Sequence, residues 1–189
     1  MKQIITIFLI FISYSALTQS ESDMKKYYAV IDYIVNNELL IKKSDSYFKK
    51  YKSNNLYLSP NNNYLFSGHE MCYKIYIFKF NYITKEEFNS DFDKYCKPIW
   101  EEYLLKDSIE GRYLSDSLYK DLSKYLEKHL KRKSNDKLKW EFSISTIFYN
   151  CITVDITKKN DMFGASLSIE FFFENNDNIK EISIKVFYA

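Results

Sequence analysis

The most regular hydrophobic pattern of this chain lies in Phe163–Phe173, which reads FGASLSIEFFF. Apolar side chains occupy every second position of the stretch, and small or polar side chains occupy the positions between them, except at Phe172. Because successive side chains of a strand point to opposite faces of a sheet, this alternation predicts a strand with one dry face. A dry face needs a cover, so the neighbouring segments are interpreted as its partners and its cover.

Two more strands are predicted beside this one. Apolar residues of a single parity run from Phe142 to Ile156, and the alternation returns between Ile182 and Tyr188. The polar segments Lys158–Asp161 and Asn175–Asn178 separate the three runs. Consecutive strands joined by short polar loops form an antiparallel meander. The sequence therefore predicts a C-terminal three-stranded meander with Phe163–Phe173 in its middle.

A second dense apolar segment, Met71–Tyr82, has apolar side chains at both parities. That distribution predicts a central strand, or a strand that is covered on both sides near this end. Leu56–Leu58 predicts a short strand just before Pro60 and the turn-forming residues Asn61–Asn63. The sheet is therefore expected to consist mainly of Met71–Tyr82 and Phe142–Tyr188.

Three to four helices are predicted to cover one face of that sheet. Glu21–Val35 carries apolar residues at helical spacing, and Ser22 is placed to cap it. Thr84 and Glu87 form a capping-box pair at the start of the second helix.

Pro98 is predicted to stop that second helix, with Ile99–Leu105 resuming as a short separate one. Ser115 is predicted to cap a further helix, whose apolar stripe ends at His129 and whose end lies at Ser134–Asp136. The expected fold class is α+β, an antiparallel sheet with helices on one face.

The first twenty residues have the pattern of a secretory signal peptide. Lys2 precedes the apolar run Ile4–Ile12, and the small residues Ser13, Ser15 and Ala16 suit a cleavage site, which is expected between Ser15 and Ser20. An uncleaved N-terminal anchor is the alternative. The run is shorter than the roughly 20 residues that span a bilayer, so no stable membrane span is expected after cleavage. Residues 21–189 are then expected to form one globular domain in the periplasm or outside the cell.

Charge gives little indication of a polyanionic partner. Lysine and arginine number 27 against 25 acidic residues, so the formal net charge is +2. A nearly balanced chain has no overall field that would attract nucleic acid. The one basic cluster, Lys128–Lys139, is interpreted as the solvated end of a helix, and no nucleic-acid partner is expected.

Motifs of nucleotide and metal chemistry are missing from the sequence. Its three glycines are far apart, so no phosphate-binding loop and no nucleophile elbow can be written. His69 and Cys72 supply two zinc ligands where a structural site needs four. His129 is interpreted as a core or boundary residue. No cofactor, metal or catalytic residue is therefore predicted.

The cysteines are Cys72, Cys96 and Cys151, which show no close spacing. Export to an oxidising compartment predicts one disulfide and one free thiol among them. The spacing ranks no pair above another, and three buried thiols remain the alternative.

The leading functional hypothesis is a non-catalytic exported protein that binds another protein or a small molecule. Its expected ligand-facing residues lie opposite the dry face of Phe163–Phe173, namely Ser166, Ser168, Glu170 and Phe172. A merely solvated outer face is the simpler interpretation of the same residues. One functional alternative is a secreted hydrolase, in which His69 or His129 would meet a carboxylate or a cysteine. Another is an inhibitor or immunity-type protein.

Overall fold

A computed structural model describes residues 21–59, 69–80, 83–110, 114–130, 138–160, 164–174 and 177–188. The predicted signal peptide, residues 1–20, lies outside these ranges. The α-helices are α1 (residues 21–36), α2 (Glu38–Ser44), α3 (His69–Phe80), α4 (Lys85–Ser90), α5 (Phe92–Glu110) and α6 (Asp116–His129). The strands are β1 (Leu56–Leu58), β2 (Trp140–Ile144), β3 (Cys151–Lys158), β4 (Ala165–Phe173) and β5 (Ile179–Tyr188).

The five strands form one sheet in the order β1-β2-β3-β4-β5. The pairs β2–β3, β3–β4 and β4–β5 are antiparallel, and β1 pairs parallel with β2. The predicted α+β class, the short strand Leu56–Leu58 and the C-terminal meander are thus confirmed.

The predicted strand from Phe142 to Ile156 is in fact a hairpin of β2 and β3. Tyr149 and Asn150 make its turn, with φ angles of 48° and 56°. Phe148 and Cys151 exchange backbone hydrogen bonds of 3.0 and 2.9 Å around the turn. Positive φ at both central residues is the geometry that matches the twist of paired strands, but tyrosine rarely adopts it, so the turn was missed.

One face of the sheet, here called the inner face, carries Val154, Ile156, Leu167 and Ile169, and these four side chains are fully buried. The helices α1, α2 and α6 pack on it and form one continuous core. Their innermost side chains are Val30, Ile31, Ile34, Ile41, Leu122 and Leu126. The prediction of a sheet covered by helices on its dry face is therefore confirmed.

Two of the predicted caps hold and one does not. Thr84 accepts a hydrogen bond from the backbone N–H of Glu87 at 3.1 Å, and Ser115 accepts one from Leu118 at 3.3 Å. Ser22 lies within α1, and its hydroxyl donates to Asp177 instead of capping the helix. Helix α1 does not depend on that cap, because its apolar side chains at helical spacing are buried against the inner face of the sheet.

A second, smaller core lies on the opposite face of the sheet, here called the outer face. It packs α3, α4 and α5 around Phe148, Cys151 and Phe172. Cys72 of α3 and Cys96 of α5 form a disulfide with their Cα atoms 5.8 Å apart. The helix that Thr84 caps was predicted to cover the inner face; it buries Phe88 in this second core instead.

The predicted strand Met71–Tyr82 is wrong, because residues His69–Phe80 form helix α3. This segment has apolar side chains at both parities, and such a run has no periodicity that distinguishes a buried strand from a buried helix. The helix places Cys72 and Ile75 against α5, while Tyr73 and Tyr76 contact the ring of Phe88. Tertiary partners on several sides thus decide its conformation.

The predicted stop before Pro98 is also wrong. Helix α5 runs through Pro98, and Ile99–Leu105 is part of it. Proline removes one backbone N–H from the helix ladder and crowds the preceding turn. Pro98, Lys97 and Lys94 are exposed, so water can reach the carbonyl that proline leaves without its helical donor. The actual break lies at Asp91, between α4 and α5.

Candidate ligand cleft and the outer face of the sheet

The four sequence-predicted residues share one face of β4, as their spacing requires. Ser168 lies opposite Asp155 of β3, Glu170 opposite Thr153, and Phe172 opposite Cys151. Ser168 and Glu170 are each only 4% exposed, and Phe172 is 8% exposed, whereas Ser166 is half-buried. The centre of this face is therefore not a solvated surface, which removes the simpler interpretation for these three residues.

Two carboxyl groups, the half-buried Asp155 and the buried Glu170, lie diagonally across β3 and β4 in the centre of the outer face. Burial raises the pKa of Asp155 to about 6; a hydrogen bond with Ser168 opposes that rise, and the charge of Glu170 adds to it. Lys185 of β5 lies 3.8 Å from Glu170 and offsets part of the negative charge. Asp155 thus changes charge near pH 6, well above the range of an exposed aspartate.

A cleft of about 780 Å³ opens at the end of this face, between α3 and the adjoining ends of β3, β4 and β5. Its apolar lining comes from Ile75 and Ile77 of α3 and from Phe172 and Phe173 of β4. Its charged lining includes Lys74, Lys180, Glu174 and Glu181. Of the four sequence-predicted residues, only Phe172 lines the cleft; Ser166, Ser168 and Glu170 continue along the same face beyond it.

Lys74 connects the two sides of the cleft. Its ammonium lies 4.9 Å from the centre of the Phe172 ring and forms an ion pair with Glu181 of β5. A cation over an aromatic face is attracted by the ring quadrupole, more strongly where water is excluded. Lys74 therefore places positive charge beside the apolar lining of the cleft.

The turn between β2 and β3 forms another wall and is held from both cores. The Tyr149 hydroxyl donates to Glu102 of α5, and Lys79 of α3 pairs with the same carboxylate. On the other side, Lys26 of α1 donates to the Asn150 amide oxygen at 2.9 Å. Residues at positive φ cost free energy and persist where the surroundings enforce them, so this wall is preformed.

The hydrolase alternative invokes His69 or His129, and of these two residues the structure describes the side chain of His129 alone. His129 is exposed at the end of α6 rather than at the core, with its ring stacked on Tyr125 at 4.0 Å between centroids. Its Nδ1 lies 2.8 Å from the Tyr125 carbonyl oxygen. His69 is the first residue of α3, and its side chain lies outside the described part of the structure. The alternative stays a prediction.

Cys151 is a free, buried thiol in the lining of the cleft. Burial raises its thiol pKa far above the ordinary value, and the charge of Glu170 adds to the rise. A protonated thiol is a poor nucleophile, so Cys151 acts as an apolar lining group. Within the described ranges, no group of three or more His, Cys, Asp or Glu side chains is arranged to hold a metal ion.

The sequence missed most of this cleft. The hydrophobic pattern predicts a strand for the segment that holds Lys74, Ile75 and Ile77, and a strand gives no indication that these residues line one wall of a cleft. Asp155 lies between the apolar residues Val154 and Ile156, on which the strand prediction rests. A single acidic residue between two apolar ones in a strand indicates a side chain on the opposite face of the sheet. Asn150 was a second signal, because asparagine tolerates positive φ.

In comparisons with protein-family models, curated proteins and solved structures, nothing matches this chain. In the part of the chain that the structure describes, none of the helices has both the length and the hydropathy of a bilayer span.

Proposed function

We propose that this protein is an exported, non-catalytic binding protein whose cleft between α3 and β4–β5 takes a ligand with an apolar body and a polar end. One observation carries the proposal: the apolar lining formed by Ile75, Ile77 and Phe172 adjoins the charged side chains Lys74 and Lys180. Sites for small molecules combine these two features, since apolar contact supplies affinity and a few polar groups fix orientation.

The size of the cleft supports a small ligand or a few side chains of a partner. Small-molecule sites are commonly clefts of roughly 300–1,000 Å³. A volume of about 780 Å³ lies within that range. The ligand is therefore expected to be comparable in size to a small cofactor or a short peptide segment.

The rigidity of the walls supports binding as well. The disulfide Cys72–Cys96 fixes α3 on α5, and the contacts of Tyr149 and Asn150 hold the opposite turn. Preformed walls lower the entropy lost on association, so a given set of contacts yields more affinity.

Export is supported by the pattern of residues 1–20 and by the disulfide, because such bonds persist mainly in oxidising compartments. Fractionation of cells that express the full chain, followed by mass spectrometry of the N-terminus, tests this part. A processed chain in the exported fraction is expected. An intact N-terminus in the cytoplasm would contradict export and would leave the cleft proposal to its own test.

Two fluorescent probes test the cleft: anionic 8-anilinonaphthalene-1-sulfonate and neutral N-phenyl-1-naphthylamine. Both are expected to bind the native protein, and Ile77→Glu is expected to abolish binding because it places a carboxylate in the apolar wall. Phe80→Glu is the matched control, since Phe80 is an exposed apolar residue of the same helix that does not line the cleft. Circular dichroism melting verifies that each variant folds.

A second variant reports on the charged end. Lys180→Glu reverses an exposed charge at the rim and is expected to weaken the anionic probe more than the neutral one. Equal binding by the native protein, Ile77→Glu and Lys180→Glu would overturn the cleft as the binding site.

A further inference from the structure

Strand β5 forms a long edge of the sheet. It is ten residues long and pairs with β4 along one side. Among the described residues, no strand pairs with its other side. An edge of this kind presents a row of backbone donors and acceptors to which another strand can add.

The order of side chains along β5 is self-complementary about Ser183. On the outer face, Glu181 lies two residues before Ser183 and Lys185 two residues after it. On the inner face, Ile182 and Ile184 flank Ser183 symmetrically. In an antiparallel pair of two such strands centred on Ser183, Glu181 of each copy lies opposite Lys185 of the other, and Ile182 lies opposite Ile184.

From this arrangement we propose that β5 pairs antiparallel with β5 of a second copy, about a two-fold axis through Ser183. Directly opposed residues of unlike charge favour an antiparallel pair, and like charges disfavour it, so this register is preferred over its neighbours. An interface between identical patches on two copies is the commonest arrangement of soluble dimers.

The apolar border of the sheet also favours a second copy. Ile182, Ile184 and Val186 are half-buried at the end of the inner face, where they pack on the main core. Phe187 and Tyr188 are 49% and 67% exposed. Pairing of two β5 strands continues the inner face from one copy to the other and removes apolar surface from water.

The interface contributes to the cleft of each copy. Glu181 lines the cleft and pairs with Lys74. Lys185 of the second copy, lying opposite Glu181, adds a cation at that rim. The dimer therefore carries two clefts, each bordered by both chains. Because two edge strands alone bury less than the roughly 1,200 Å² of a stable interface, the dimer is expected to dissociate on dilution.

Sedimentation equilibrium over a range of concentrations tests the association, and a cysteine at the axis tests its register. Ser183→Cys is expected to form a disulfide-linked dimer under mild oxidation, because residue 183 meets its own copy there. Ser166→Cys is the matched control, since Ser166 is a half-buried serine on the same face of β4, inside the sheet. It is expected to stay uncrosslinked.

Charge reversal supplies a test that does not depend on oxidation. Glu181→Lys and Lys185→Glu each place two like-charged pairs at the interface, and each is expected to weaken the dimer on the order of tenfold. A mixture of the two variants restores both opposite pairs and is expected to form the heterodimer preferentially. These residues also contact Lys74 and Glu170 within the chain, so melting curves accompany the measurement.

A monomer at every concentration would overturn the proposal and leave the edge to the strand of a different protein. A dimer that crosslinks through Ser166→Cys, or not through Ser183→Cys, would overturn it in favour of another surface. Neither result changes the outcome expected from the probe-binding test of the cleft.

Discussion

Lys26 donates a hydrogen bond to the Asn150 side chain across 2.9 Å, and this contact joins the first helix to the turn between β2 and β3. The two residues are 124 positions apart in sequence. The Lys26 ammonium also lies 3.5 Å from Asp177, next to β5. A buried lysine thus connects the main core, the cleft wall and the start of the last strand.

Replacing Lys26 by methionine is expected to destabilise the fold by about 2 kcal/mol, because Asn150 and Asp177 lose a charged donor in a mostly buried place. Urea unfolding measures the loss. Lys25→Met is the matched control: Lys25 is adjacent and its side chain is 63% exposed, so its change is expected to stay within about 0.5 kcal/mol. Similar losses in both variants would contradict the role given to Lys26.

Substitutions of Asn150 separate the backbone conformation of the turn from the amide contact. Both Asn150→Gly and Asn150→Ala remove the acceptor for Lys26, but only alanine must be forced to a φ of 56°. Asn150→Ala is therefore expected to be about 1 kcal/mol less stable than Asn150→Gly by urea unfolding. Equal stability of the two variants would show that the turn does not enforce positive φ.

Asp155 is expected to make the free energy of unfolding depend on pH, with a defined sign. Its pKa is about 6 in the folded protein against an ordinary value of 3.8, so the folded state holds the proton more tightly. The stabilisation from protonation is complete below pH 3.8 and is lost as the pH rises through about 6. The difference between the two pKa values corresponds to roughly 3 kcal/mol.

Asp155→Asn, which has no proton to lose, is expected to be more stable than the native protein at pH 8 by roughly that amount and equal to it below pH 4. Unfolding by urea across this pH range measures the difference. Asp121→Asn, at an exposed position of α6, is the control for removing a carboxylate from the surface. A difference for Asp155→Asn that does not change with pH would contradict the raised pKa.

The disulfide Cys72–Cys96 is expected to contribute about 3 kcal/mol, given the 24-residue separation of its cysteines. Urea unfolding with and without reductant measures it. In the unreduced protein, thiol labelling is expected to find one reactive thiol, and only after denaturation, because Cys151 is buried with a raised pKa. Labelling of three thiols in the unreduced, denatured chain would contradict the pairing.

The sequence predicted those elements whose evidence is local. Period-two alternation placed β4, because the pleat alone distributes its side chains between the faces. Thr84 and Ser115 placed two helix starts, because a cap acts on backbone groups within three residues of itself. The spacing of Ser166, Ser168, Glu170 and Phe172 likewise placed them correctly on one face.

Tertiary contacts decided what local evidence left open. Met71–Tyr82 is apolar on all sides, and only its packing against α5 and Phe88 shows that its described part is a helix. The same packing brings Cys72 to Cys96 and leaves Cys151 free. The burial of Glu170 and the position of Phe172 in a cleft depend on residues far away in sequence.

Strand β4, which has the most regular hydrophobic alternation of the chain, illustrates what the sequence determines and what the tertiary structure decides. The residues of β4 determined that it is a strand and which of its side chains share each face of the sheet. They also determined which face is the apolar, inner one, since all of this follows from the geometry of a pleated backbone. The tertiary structure decided that the other side is covered as well, with a second core and a cleft at Phe172. Which helix covers which face depends on packing between distant segments, and no periodicity within one strand carries that information.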